Sequence, residues 1–134
     1  MEYLKDKSGI YRIILDEKSE IKRLNGSDHY CILYIGHAKE SNTLMKRVRD
    51  FYDSASNVNS NGEPPMTHQA GRFYQLYLKK FFGEAVDNLR FEFVVTDSDP
   101  DAVLREYTEL KAYLDKHGEL PPLNNQLPKA GIQQ

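Results

Sequence analysis

Hydrophobic positions along the chain fall into three short β-like runs and three stretches of helical period. Gly9-Ile10-Tyr11-Arg12-Ile13-Ile14-Leu15 is apolar and β-branched, which predicts a strand. Residues 18–28 are polar, with Asn25-Gly26 as a turn signal. Tyr30-Cys31-Ile32-Leu33-Tyr34-Ile35 predicts a second strand, making a long-looped hairpin with the first. Thr43 is suited to cap a helix that runs to about Tyr52. The stretch 53–65, rich in Ser, Asn, Gly and Pro, reads as a loop. A second helix is predicted from His68 to Phe82, stopped by Gly83. Leu89-Arg90-Phe91-Glu92-Phe93-Val94-Val95 alternates and predicts a third strand. Asp99-Pro100 opens a third helix that reaches about Lys116, before Gly118. An irregular tail follows from Pro121. The order ββααβα predicts an α+β fold with a small, mostly antiparallel three-stranded sheet flanked by helices. No repeat or linker divides residues 1–134, so one domain is expected.

Helical geometry, at about 100° per residue, then sorts the side chains. In the first helix Leu44, Val48 and Phe51 form the buried stripe. Arg47 borders that stripe and is held near the sheet, while Arg49 points away. Arg47 is either a snorkelling side chain that covers apolar surface or a working cation. In the second helix Phe73, Tyr74, Tyr77, Leu78 and Phe81 share one side. His68, Arg72, Gln75 and Lys79 gather on the other as a polar, partly basic stripe. Such a stripe is the wet face of an amphipathic helix or a grip on a phosphate backbone. In the third helix Val103, Leu104, Tyr107, Leu110 and Leu114 form the apolar face, with Glu106 at its edge and Glu109 further round. A carboxylate at that rim is either a solvated flank or a metal ligand or acid–base group.

Composition narrows the picture. A chain of 134 residues buries one core. Its 18 basic and 20 acidic residues give a net charge of −2, so any anion-binding site must be a local patch. There is no apolar run long enough to span a membrane and no signal-peptide pattern. The single cysteine, Cys31, excludes an internal disulfide and sits in an apolar run as a small core residue. A cytoplasmic protein without membrane partners is expected, and the balanced surface leaves the oligomeric state open.

Five ordered elements carry a resemblance. They are Gly9-Ile10-Tyr11, then Tyr34-Ile35-Gly36 followed by His37-Ala38-Lys39, then Leu44-Met45-Lys46-Arg47-Val48, then Asp101-Ala102-Val103-Leu104-Arg105-Glu106, and last Pro122-Leu123-Asn124. Over a core of about residues 8–125 the chain resembles a small standalone member of the GIY-YIG nuclease domain family. The resemblance implies a metal-dependent endonuclease that hydrolyses phosphodiester bonds of DNA, duplex or branched. Carried over residue by residue, Tyr11 is the general base or water-orienting phenol and Tyr34 its second-strand partner. Arg47 holds and polarises the scissile phosphate, which suits a forked donor. Glu106 ligates one divalent ion, Mg²⁺ or Mn²⁺. His37, where many relatives carry lysine, serves as acid–base or phosphate contact. Gly9, Gly36 and Asn124 brace the site. The segment His68-Gln69-Ala70-Gly71-Arg72 resembles an insert of small members, which makes His68 and Arg72, with Lys79, candidates for nucleic-acid contact. A phenol with an ordinary pKa near 10 needs a nearby cation to act as a base. Glu109 competes with Glu106 as the ligand. Two other readings stand beside the nuclease: a non-catalytic binding module for nucleic acid or protein on the same fold, and an unrelated α+β domain.

Overall fold

The structure is a computed structural model that describes residues 6–16, 20–78 and 89–128. It is α+β: among the described residues, a three-stranded antiparallel sheet with three α-helices. The strands are β1 (Gly9–Leu15), β4 (Ile32–Ala38) and β5 (Leu89–Val95), in the order β4-β1-β5. Between β1 and β4 the polar stretch adds a small ladder absent from the expected order, β2 (Ile21–Lys22) with β3 (Ser27–Asp28), turned at Gly26 with φ 69°. Helices α1 (Leu44–Ser56) and α2 (Gln69–Phe73) follow β4, and α3 (Asp99–His117) follows β5.

The central strand explains its own composition. β1 is buried at every position except Arg12, because helices cover the sheet on both faces. A strand buried on both sides reads as a continuous apolar run rather than an alternating one. Residues opposite each other in an antiparallel pair share a face. Tyr11 lies opposite Gly36 and Ile13 opposite Tyr34, on the face toward α1 and α2. Ile10 lies opposite His37 and Arg12 opposite Ile35, on the face toward α3.

The two glycines of the triplets are needed for close approach. A Cβ on Gly9 would lie 2.2 Å from the carbonyl oxygen of Val94, so the β1–β5 ladder admits no side chain there. A Cβ on Gly36 would lie 2.8 Å from both Cζ and the hydroxyl of Tyr11 and 2.6 Å from the Tyr34 ring. Gly36 is the floor on which both phenols rest.

Several expectations change in detail. β4 begins at Ile32, not Tyr30. Cys31 has φ 58° just before β4, whose register against β1 shifts at Leu33, and buried Asp28 holds this entry to the bulge. One oxygen of Asp28 accepts the N–H groups of Tyr30 and Cys31 at 2.8 and 3.1 Å. Its other oxygen accepts the Ile32 N–H at 2.9 Å and the Tyr113 hydroxyl at 2.8 Å. α1 continues past Tyr52 to Ser56, because Ser54 and Ala55 are buried against α2. α2 is short and widens into a π turn at Tyr74–Leu78; the remainder of the expected helix, from Lys79 through Gly83, lies outside the described residues. Tyr77, expected on the apolar side, is exposed.

The largest correction concerns α3. Ser98 caps it, Pro100 lies in its first turn and Gly118 ends it with φ 77°. Its buried row is Ala102, Glu106, Leu110, Tyr113 and His117, and Leu104 is 51% exposed. Relative to the apolar face read from sequence, the helix is rotated by roughly 85° at about 100° per residue. Polar partners on the sheet side account for the rotation: His37 meets Glu106, Arg12 meets Glu109 and Asp28 meets Tyr113.

Asp28→Ala would leave three backbone N–H groups and a tyrosine hydroxyl without their acceptor. A loss of about 3 kcal/mol or more is expected in urea denaturation. A loss below about 1 kcal/mol would show that the bulge is held by other means.

Candidate active site

Two tyrosines, an arginine and a histidine meet on the α1/α2 face of the sheet. Tyr11 is fully enclosed, and its hydroxyl lies 2.8 Å from Nε2 of His68. The Tyr11 and Tyr34 rings are 5.9 Å apart between centroids and tilted by 47°. Arg47 reaches in from α1, and its charge acts on both phenols. Its side chain is 20% exposed, with Asp50 at 3.6 Å one turn on. Arg49 is exposed, as the helical angle requires.

Glu106 approaches from α3, on the other side of the sheet. Its residue is 7% exposed and accepts from Nδ1 of His37 at 3.0 Å. Beside the free edge of β4 the two sides meet in a cleft of about 220 Å³. Tyr34, Gln69, Glu106, Asn124 and Gln126 line it, so Tyr34 and Glu106 share one space while Tyr11 lies behind. The chain after α3 closes this edge. The N–H of Leu123 donates to the Leu33 carbonyl at 2.8 Å. The Asn124 side chain accepts the Ile35 N–H at 3.0 Å and donates to the Ile35 carbonyl at 2.9 Å, which fills a ladder position without a further strand. Glu109, the competing carboxylate, is engaged elsewhere. Arg12 grips it with Nε at 2.9 Å and Nη2 at 2.6 and 2.7 Å, and Arg105 adds a contact at 2.8 Å.

The polar stripe expected on the second helix is not an open face. His68 is 2% exposed and serves as the N-cap of α2. Arg72 donates to the Pro64 carbonyl at 2.7 Å, and Gln75 donates to the carbonyls of Ser54 and Asn57. Lys79 lies outside the described residues. These donors join α2 to α1 and the loop before it. Helical spacing of polar residues cannot separate such internal partners from solvent, so His68, expected on the polar side, is instead enclosed. The one available signal was its position directly before Gln69-Ala70-Gly71, where a capping side chain is needed.

Burial dominates the electrostatics. It pushes the Tyr11 hydroxyl well above its ordinary value; Tyr34 adds to the rise and Arg47 opposes it. Burial also raises Tyr34, with the Glu106 charge second and Arg47 again opposing. Burial works against the Arg47 charge, yet the tyrosines and Asp50 hold it above the usual value, so it is a fixed cation. For His68, burial and then the Arg47 charge lower the pKa to about 3, so the ring is neutral at physiological pH.

A divalent cation finds limited protein ligation here. Among the described residues no three His, Cys, Asp or Glu side chains cluster to hold a metal. Glu106 offers one carboxylate amid amide-bearing side chains. That set fits a hydrated Mg²⁺ that takes one carboxylate, waters and substrate oxygens, and does not fit a metal caged by protein alone. No helix among the described residues is long and apolar enough to cross a membrane. Compared with protein-family models, curated proteins and solved structures, the chain has no match.

The His68 shift has a consequence in acid. The unfolded chain takes up this proton near pH 6.5, the folded chain only near 3. The stability it contributes is complete above about 6.5 and falls as pH drops toward 3, at most about 1.4 kcal/mol per unit. Denaturant midpoints at pH 7 and 5 are expected to differ more in the native protein than in His68→Asn. Equal differences would place the acid sensitivity in other groups.

Proposed function

We propose that the chain is a GIY-YIG-like endonuclease, with the ββααβα core of that family, that hydrolyses DNA phosphodiester bonds with the help of Mg²⁺ or Mn²⁺. The observation that carries this reading is the convergence of Tyr34 and Glu106 on one cleft, with the Arg47 charge acting on the phenol pair. A phosphodiester hydrolase needs a group that orients water, a cation for the developing charge and a site for a hard metal. The tyrosine pair supplies the first. Arg47 supplies the second, and its forked guanidinium binds a phosphate oxygen while keeping the phenols oriented. Glu106 would supply the third, holding a divalent ion that would offer positive charge to the leaving oxygen. His37 has Nδ1 on Glu106, which leaves Nε2 for a phosphate oxygen or a proton of the leaving group. Asn124 fixes β4 beside the cleft through both polar groups of Ile35.

A binding module on the same framework is the second reading. It is favoured by the net charge of −2 and by the internal engagement of His68, Arg72 and Gln75, which removes an open basic stripe.

The deciding measurement is cleavage of a panel of duplex and branched DNAs with and without Mg²⁺. Cleavage that requires the metal is expected. Glu106→Gln is expected to reduce it at least about 100-fold with the fold intact, and Arg47→Lys to reduce it about tenfold or more. Full activity in Glu106→Gln would remove Glu106 from the reaction. Metal-independent binding without any cleavage would favour the module.

A further inference from the structure

His68 has both ring nitrogens committed. As N-cap of α2 its Nδ1 accepts the N–H of Gly71 at 3.4 Å. An N–H donates and cannot accept, so Nδ1 carries no proton. In a neutral imidazole the proton then sits on Nε2. Nε2 faces the Tyr11 hydroxyl at 2.8 Å, so it donates to the Tyr11 oxygen. The Tyr11 hydrogen must therefore turn elsewhere; the Arg47 guanidinium cannot accept it, and the Tyr34 ring stands 5.9 Å away between centroids. Tyr34, unlike Tyr11, lines the cleft with Glu106.

Ring position leaves little freedom. His68 is wedged edge-on between Phe51 and Tyr34, each 5.4 Å away between centroids. Its backbone N–H donates to Ser54 Oγ at 2.8 Å, which pins α2 to α1. The ionisable groups around Tyr11 are Tyr34 from β4, Arg47 from α1, His68 from α2 and Glu106 from α3.

We propose that the cap of α2 sets the direction of a hydrogen-bond chain, from Gly71 N–H through His68 and Tyr11 to the oxygen of Tyr34, so that Tyr34 is the phenol presented to the reacting water and Tyr11 and His68 are positioning residues behind it. The assignment of a reaction to Tyr34 rests on the nuclease reading; the direction of the chain does not. The Gly71 N–H here does the work of a fixed donor.

The test uses the native protein at neutral pH without metal or DNA, with ¹⁵N-labelled histidine and ¹³Cζ-labelled tyrosine. The His68 proton is expected on Nε2. In a mixture of H₂O and D₂O the enclosed Tyr11 hydroxyl should exchange slowly, giving two isotope-shifted lines, and Tyr34 one averaged line. A proton on Nδ1, or Tyr11 exchanging as fast as Tyr34, overturns the proposal. With an active protein, His68→Asn keeps a good cap but cannot reach Tyr11, and should lower kcat about ten- to hundredfold with KM little changed. His68→Gln restores a donor of longer reach and should recover part of the loss. Equal kcat in His68→Asn and the native protein overturns the positioning role. An Nε2 proton and slow Tyr11 exchange in a protein that cleaves no DNA would support the chain and reject the nuclease.

Discussion

Everything at the cleft depends on where the Tyr11 ring can lie. It crosses β4 at Gly36, the one glycine of that strand, where a Cβ would lie 2.8 Å from the Tyr11 hydroxyl. With the ring there, His68 can be buried, because its Nε2 finds a partner. With His68 buried, α2 has its cap and its link to Ser54. A polar group enclosed without a partner costs about 1–3 kcal/mol, so these groups stand or fall together. The π turn that follows α2 begins at Tyr74, a fully buried ring packed on Phe51, so the α1–α2 layer is arranged around the same aromatic group.

The sheet edge solves a second problem. β4 is an edge strand, and an unpaired edge invites association with other chains. The tail after α3 covers it, with Leu123 bonded to Leu33 and the Asn124 amide taking both polar groups of Ile35. That cover is partial, and the space it leaves is the cleft. Glu106 can stand at this position because α3 turns its polar row toward the sheet. A hydrophobic face of α3 turned inward would have pointed Glu106 away from Tyr34. Bidentate pairing of Arg12 with Glu109 holds that rotation, and it also removes Glu109 from any role in the cleft.

Legibility in the sequence followed the range of the interaction. β1, β5, the start of α1 and both ends of α3 are local matters of β-branched runs, Thr43 and Ser98 caps and the Gly118 stop, and periodicity finds them within a few residues. The glycines of both triplets were visible as residues, but their purpose was not, since it lies in contacts with Val94 and Tyr11 across the sheet. The rotation of α3 and the burial of His68 were misread for one reason: both depend on polar partners far away in sequence. Asp28 escaped notice for the same reason, as its four acceptor bonds only appear once β3, β4 and α3 are assembled.

The sequence by itself determined an α+β chain with a buried central strand, two glycines at strand positions and a set of tyrosines, arginine and glutamate in a fixed order. It determined these because composition and period act over a few residues, where propensity and steric rules decide. The tertiary structure alone decided which carboxylate faces the cleft, which phenol lines it and which histidine is enclosed. Those choices are made by pairing polar groups across 57 to 97 residues of chain, as between Tyr11 and His68 or Arg12 and Glu109, where only the folded geometry brings donor and acceptor within reach.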